Sequence, residues 1–168
     1  SRRKENSQGA DFTFNTDQEI SNEILEGVTH VLSCIPPLLS GEDPVLLRLK
    51  TQLLNLKHLK WVGYLSTTGV YGDAQGEWVN ENTSPNPQQE RSIRRFSCEK
   101  QWLETNLPIQ ILRLPGIYGP RRSAFESLLS GTTKMIDKPD QVFSRIHVDD
   151  IAGAVLFLIN LYSQGKNP

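Results

Sequence analysis

Leu65-Ser66-Thr67-Thr68-Gly69-Val70-Tyr71-Gly72 puts a run of hydroxyl side chains at the end of an apolar segment. The residues before it, Leu59 to Leu65, are short in number, apolar, and rich in aromatic and β-branched types. A strand buried on both faces of a parallel sheet has that composition. The residues after it, Gly72 to Pro87, mix glycine, proline and polar types without a helical period, which predicts a long surface loop. In open α/β sheets ligands bind beyond the carboxyl ends of the strands. Ser66, Thr67 and Thr68 therefore fall where such a protein builds a site.

Working outward, Thr29 to Ile35 reads as a second buried strand, stopped by Pro36-Pro37 because proline cannot extend the ladder. Asp43-Pro44 opens a helix through about Leu56: aspartate suits the N-cap, proline the first turn, and Val45, Leu46, Leu49, Leu53, Leu54 and Leu56 make an apolar face. Further along, the pattern predicts a helix over Gln88 to Asn106, a strand over Ile109 to Leu114, and a short helix over Ala124 to Ser130. A strand over Phe143 to Val148 and a helix over Asp149 to Tyr162, capped by its aspartate, complete the series. Asp11 to Phe14 reads as a short strand and Glu19 to Leu25 as a helix-like stretch. Residues 1–28 are thus a lead-in, and 29–168 carry an α/β pattern of right-handed crossovers in a mostly parallel, doubly wound sheet. Gly69, Gly72 and Gly76 mimic a dinucleotide fingerprint, but such a fingerprint must open a helix, and Asp73 to Pro87 has no helical period.

Composition narrows the function classes. The chain has 168 residues, enough for one domain with a sizeable core. Its 18 basic and 19 acidic residues nearly cancel, so no overall field favours nucleic acid or an anionic membrane, and any anion site must be local. Cys34 and Cys98 show no metal-like spacing and fit a reduced, cytoplasmic setting. No apolar stretch approaches the roughly 20 residues of a bilayer span, and Ser1-Arg2-Arg3-Lys4-Glu5 lacks the apolar core of a signal peptide. Trp61, Trp78 and Trp102 form no stacking array with basic residues, which argues against single-strand nucleic-acid binding.

Three blocks together carry a family resemblance: Ser66-Thr67-Thr68-Gly69-Val70-Tyr71-Gly72, then Leu112 to Pro120 (Leu-Arg-Leu-Pro-Gly-Ile-Tyr-Gly-Pro), then Arg145 to Ala152 (Arg-Ile-His-Val-Asp-Asp-Ile-Ala). In this order the chain resembles extended short-chain dehydrogenases/reductases, the NAD-dependent epimerase/dehydratase group, and within it an atypical nucleoside-diphosphate-sugar epimerase-like subgroup. The resemblance covers Thr29 to Leu161 and implies a partial Rossmann-like fold. It also implies NAD or NADP as cofactor, an anionic small molecule such as a sugar nucleotide as substrate, and compatibility with a homodimer. The family begins with a strand, a glycine-rich turn and a helix that hold the cofactor pyrophosphate. Nothing before Thr29 supplies that unit, so the chain reads as a fragment lacking it and the substrate-binding lobe.

The resemblance also implies roles for residues. Thr67 takes the place of the hydroxyl that bonds the substrate oxygen being oxidised or reduced, while Thr68 and Gly69 replace the Asp-Glu pair of sugar-nucleotide dehydratases. Ile35, Pro36, Leu65, Ser66, Leu114 and Pro115 fall where relatives wall the cofactor. Gly116, Arg121, Arg122 and Arg145 fall where they bind substrate. The Tyr-x-x-x-Lys pair of the family is absent: alignment on Glu99 puts Arg91 at the tyrosine place and Arg95 at the lysine place. Tyr162-Ser163-Gln164-Gly165-Lys166 matches only formally, beyond a helix-stopping glycine. A guanidinium with a pKa above about 12 cannot serve as a base near neutrality. Arg91, Arg94 and Arg95 can instead bind an anion through forked donors or form a solvated helix face paired with Glu90 and Glu99. Arg121-Arg122 reads equally as an anion site or a surface basic pair, Arg113 as a structural ion-pair or loop-anchoring residue, and His147 as a satisfied strand residue in preference to a catalytic base. The reading is therefore an oxidoreductase or isomerase with altered catalytic residues; the alternative is a silent NAD(P)-binding sensor.

Overall fold

A computed structural model describes residues 22–133 and 142–165. The expected strand at Asp11 to Phe14, the start of the lead-in helix, and Lys166 lie outside the described residues. Strand β1 (His30–Ser33), helix α1 (Pro44–Leu54), strand β2 (Trp61–Thr67), helix α2 (Glu90–Leu103) and strand β3 (Ile109–Leu114) follow in order. Then come β4 (Gly116–Tyr118), α3 (Ala124–Leu129), β5 (Arg145–His147) and α4 (Val148–Ser163). The three long strands form one parallel sheet in the order β1-β2-β3, and β4 and β5 form a second parallel pair.

The alternation of side chains along β2 sends successive residues to opposite faces, and helices cover both. On one face Val62 and Tyr64 pack with Val45, Leu46 and Leu53 of α1 and Cys98 and Trp102 of α2. On the other, Trp61 packs with Ile151 and Val155 of α4, joined by Leu112, Leu114, Ile117 and Ile146. Asp43 ties the first layer together. It is fully buried, its Oδ1 accepts the N–H groups of Val45 and Leu46, and its Oδ2 accepts the indole N–H of Trp102 at 3.0 Å.

Several elements are shorter at their ends than the sequence expectation, β1, α2 and β5 among them, β2 runs on to Thr67 rather than ending at Leu65, and further differences have a local cause. The central strand begins at Trp61 rather than Leu59, because Leu56 and Leu59 close a turn and both Lys60 and Trp61 donate to Thr29 O, beside the start of β1. Strand β4 was not anticipated: three residues between Pro115 and Gly119 give no periodic signal, and only pairing with β5 makes them a strand. Helix α4 is capped by His147 rather than Asp149. Its Nδ1 accepts the Asp149 N–H at 3.3 Å, while Asp149 and Asp150 lie in the first turn, where the helix dipole favours negative charge.

Candidate functional site

Register decides where the site lies. Thr67 is the last residue of β2 and pairs with Leu114, the last of β3, and β1 ends on the same edge, paired Ser33 to Tyr64. Thr67, Leu114-Pro115 and Ile35-Pro36 therefore share the carboxyl edge. Ile35, Leu65, Leu114 and Pro115 are half-buried there and Pro36 is exposed, giving that edge apolar surface within reach of a ligand.

At Thr67 the chain leaves the strand and enters a single 3-10 turn, Thr68–Tyr71. Thr67 Oγ1 accepts the Gly69 N–H at 3.1 Å and so caps the turn. Its own hydroxyl hydrogen has no acceptor among the described residues and can be given to a ligand oxygen. Gly72 ends the turn at φ 76° with the Asn86 carbonyl where a Cβ would sit, a conformation open to glycine alone. From there the loop to Pro87 runs over the edge without regular structure, anchored by Asn86 N–H to Val70 O at 2.9 Å.

Beneath the turn lies a buried polar network. Glu99 of α2 is 1% exposed; it accepts a hydrogen bond from Ser66 and forked bonds from Arg113 (Nη2 to Oε2 2.8 Å, Nε to both oxygens 3.2 Å). Arg113 also donates to the Tyr71 hydroxyl at 3.1 Å and lies over its ring, 4.9 Å from the centroid. The carboxylate and phenol beside it hold the Arg113 guanidinium ionised well above its ordinary range. This confirms Arg113 as an ion-pair residue. Glu99 turns inward to it, while on the helix surface Arg94 pairs with Glu90 at 3.2 Å. Tyr71 and Arg113 open onto a cleft of about 460 Å³ whose other walls are Thr68, Val79, Asn80, Glu81 and Ile111. Sequence reasoning missed Asn80 and Glu81, which are loop residues with no positional signal.

The arginines divide by environment. Arg95, expected at the lysine place, points inward: its Nη1 reaches Ile35 O (3.2 Å), Leu65 O (3.2 Å) and Tyr64 Oη (3.1 Å). It thus clasps the carboxyl ends of β1 and β2. Arg91 is exposed and donates to Gln89 Oε1 at 3.1 Å. Arg121 and Arg122 are exposed on a tight turn closed by reciprocal Gly119–Arg122 backbone bonds, with Arg121 at φ 60°, a left-handed conformation unusual for arginine. Arg145 starts β5 opposite Gly116, and its guanidinium carbon sits 5.7 Å from the Phe143 ring centre. His147 stacks edge-on with Tyr118, centroids 5.0 Å apart, besides capping α4.

Among the described residues no helix is long and apolar enough to cross a membrane. No protein-family model matches the chain. Of curated proteins, Protein YeeZ of Escherichia coli (strain K12) is 37% identical over 101 residues, which are 57% of this chain and 34% of that protein. A functionally unknown conserved protein from Silicibacter pomeroyi DSS is 42% identical with a TM-score of 0.85, over 95% of this chain and 58% of that one. A candidate NAD-dependent epimerase/dehydratase from Methylobacillus flagellatus is 29% identical with a TM-score of 0.56, over 79% and 45%. UDP-glucuronic acid 4-epimerase from Bacillus cereus, solved with UDP-glucuronic acid and NAD, shares the fold at 23% identity and a TM-score of 0.69, over 86% and 54%. The chain thus spans only a part of the length of each of these proteins, and its fold is the Rossmann-like α/β fold of the epimerases.

Proposed function

We propose that this chain forms the reaction-end wall of an NAD(P)-binding protein of the epimerase/dehydratase kind, acting on a sugar nucleotide or a related anionic small molecule. One observation carries the reading: the register that sets Thr67 against Leu114 at the carboxyl edge, amid half-buried Ile35, Leu65 and Pro115. That apolar wall fits the nicotinamide end of the cofactor, which supplies hydride acceptance and return when bound. The phosphate end needs a glycine-rich turn opening a helix, and the described residues contain none. Thr67 donates its hydroxyl hydrogen to the substrate oxygen. Arg121, Arg122 and Arg145 meet its anionic groups. Arg95 shapes the wall by holding Ile35 and Leu65, and Arg91 is an outlying cation.

Arg91 at the tyrosine place favours a second reading, a silent NAD(P)-binding sensor, because it is exposed and permanently charged. Incubating the protein in its full natural length with NAD or NADP and a panel of nucleotide sugars, followed by proton NMR of the sugars, separates the two. The enzyme reading expects a changed sugar stereocentre, lost in Thr67→Val. Cofactor binding without conversion of any sugar leaves the sensor, and absence of both refutes the proposal.

The outer face of α1 and α2 suits pairing of two copies. Leu47 and Leu54 on α1, and Ile93 and Leu103 on α2, are each about half exposed. With Phe96 and Lys100 the α2 residues repeat at the spacing of a helix-packing seam. Sedimentation velocity should give a dimer that Ile93→Glu dissociates; a parent that sediments as a monomer refutes it.

A further inference from the structure

Arg145 lies against a strand partner that has no side chain. Gly116 and Arg145 are register partners, and Gly116 N–H donates to Ser144 O at 3.1 Å. A Cβ built on Gly116 would lie 2.9 Å from Arg145 Nη1 and 3.0 Å from its Cδ, so a side chain there would push the flexible arginine out of its present seat. The guanidinium therefore lies across the Gly116 backbone, with the Phe143 ring on another side. No carboxylate or carbonyl accepts from it among the described residues. This contrasts with Arg113, whose charge Glu99 meets, and with Arg95, which three oxygens hold.

Its position gives this charge, unmet by any acceptor among the described residues, a meaning. Gly116 is two residues beyond Leu114, itself paired with Thr67, so it lies about 7 Å along extended chain from the level of the Thr67 hydroxyl. That is roughly the reach of one sugar ring. Arg121 and Arg122 stand beyond the other end of β4, across Ile117 and Tyr118. The two basic groups thus lie at opposite ends of β4, and one anion does not need both.

We infer that Arg145, seated on Gly116, is a specificity-determining residue that takes a carboxylate carried on the reacting sugar, separate from the phosphates. The substrate class is then an acidic sugar nucleotide. A planar carboxylate matches the guanidinium fork, and an uncharged hydroxymethyl group at the same place does not. This rests on the sugar-nucleotide reading above and adds the acid group to it.

UDP-glucuronate and UDP-glucose differ only in that carboxylate and serve as the probes, titrated into the protein while ¹⁵N–¹H spectra, including the arginine Nε–H signals, are recorded into the millimolar range. The expected result is at least tenfold tighter binding of UDP-glucuronate, with Arg145 Nε shifted by it alone. Arg145→Gln and Gly116→Ala, the second leaving every charge in place, should each bring the ratio of UDP-glucuronate to UDP-glucose affinity down to about one. Equal binding of the two probes by the parent overturns the inference and leaves the sugar-nucleotide reading standing. Preference for UDP-glucuronate that survives both variants also overturns it. Binding of neither probe overturns the sugar-nucleotide reading itself, and the inference with it.

Discussion

Removing the Glu99 carboxylate is the perturbation whose size the structure sets most firmly. Glu99 is 1% exposed and holds Arg113, whose side chain is 20% exposed, by a forked contact of 2.8 Å, with the Ser66 hydroxyl on the same carboxylate. Breaking a buried pair from one side costs about 3–5 kcal/mol, because the partner charge is left in low dielectric. Arg113 keeps some access to water and its bond to Tyr71, so Glu99→Ala should fall at the low end, about 3 kcal/mol. For a chain of this size that lowers Tm by roughly 6–12 °C. Glu99→Gln keeps the shape and an acceptor but not the charge, and should cost about 1.5–3 kcal/mol, the worth of a charged hydrogen bond. Urea unfolding followed by far-ultraviolet circular dichroism and by tryptophan fluorescence measures both. The double variant Glu99→Ala/Arg113→Met should lose less than the sum of the two single losses, since the second change removes the orphaned charge. A Glu99→Ala protein within about 0.5 kcal/mol of the parent, the scale of an ordinary surface substitution, would refute the reasoning.

Other consequences are narrower. Asp43→Ala removes a helix cap and leaves the buried Trp102 indole N–H without an acceptor, so it should cost about 2–4 kcal/mol in the same urea assay; a loss confined to a few tenths contradicts the role given to Asp43. Burial, with the Asp43 charge next, pushes the Cys98 thiol up to about 11. The native state thus keeps a proton that the unfolded chain gives up first, near its ordinary value of about 8.5. Stability from this group is intact below that value and falls as pH rises towards 11. Cys98→Ala should flatten that part of the stability profile, and an unchanged slope would count against it. Thiol labelling at pH 8 should modify the exposed Cys34 first and reach the buried Cys98 only on unfolding.

The fold was legible because its signals are local. The cap at Asp43 fixes the start of α1 through backbone chemistry, and strand β3 runs over the very residues its pattern marked, while the strands expected to end at Ile35 and Leu65 end two residues earlier at Ser33 and two later at Thr67. Strand β4 was not legible, since its identity comes from pairing with β5 some thirty residues later. At the site, the edge position of Thr67 could be read from the strand's end. The inward turn of Arg95 could not, because three arginines at helical spacing look alike until Ile35, Tyr64 and Leu65 are placed around one of them. The Glu99–Arg113 pair spans a helix and a strand, and only the first half of it, a structural arginine at the strand end, had a sequence signal.

The central claim is that Ile35-Pro36, Leu65 to Gly69 and Leu114 to Gly116 form one wall against the nicotinamide end of the cofactor. Nicotinamide mononucleotide tests it most directly, because it carries that end alone; it is titrated into the ¹⁵N-labelled chain up to millimolar concentration. The account predicts amide shifts gathered on those three segments, and intact NAD or NADP binding the isolated chain more weakly than micromolar. Shifts gathered instead at the opposite edge, around Lys60, Trp61 and Ile109, or none at all, would contradict it.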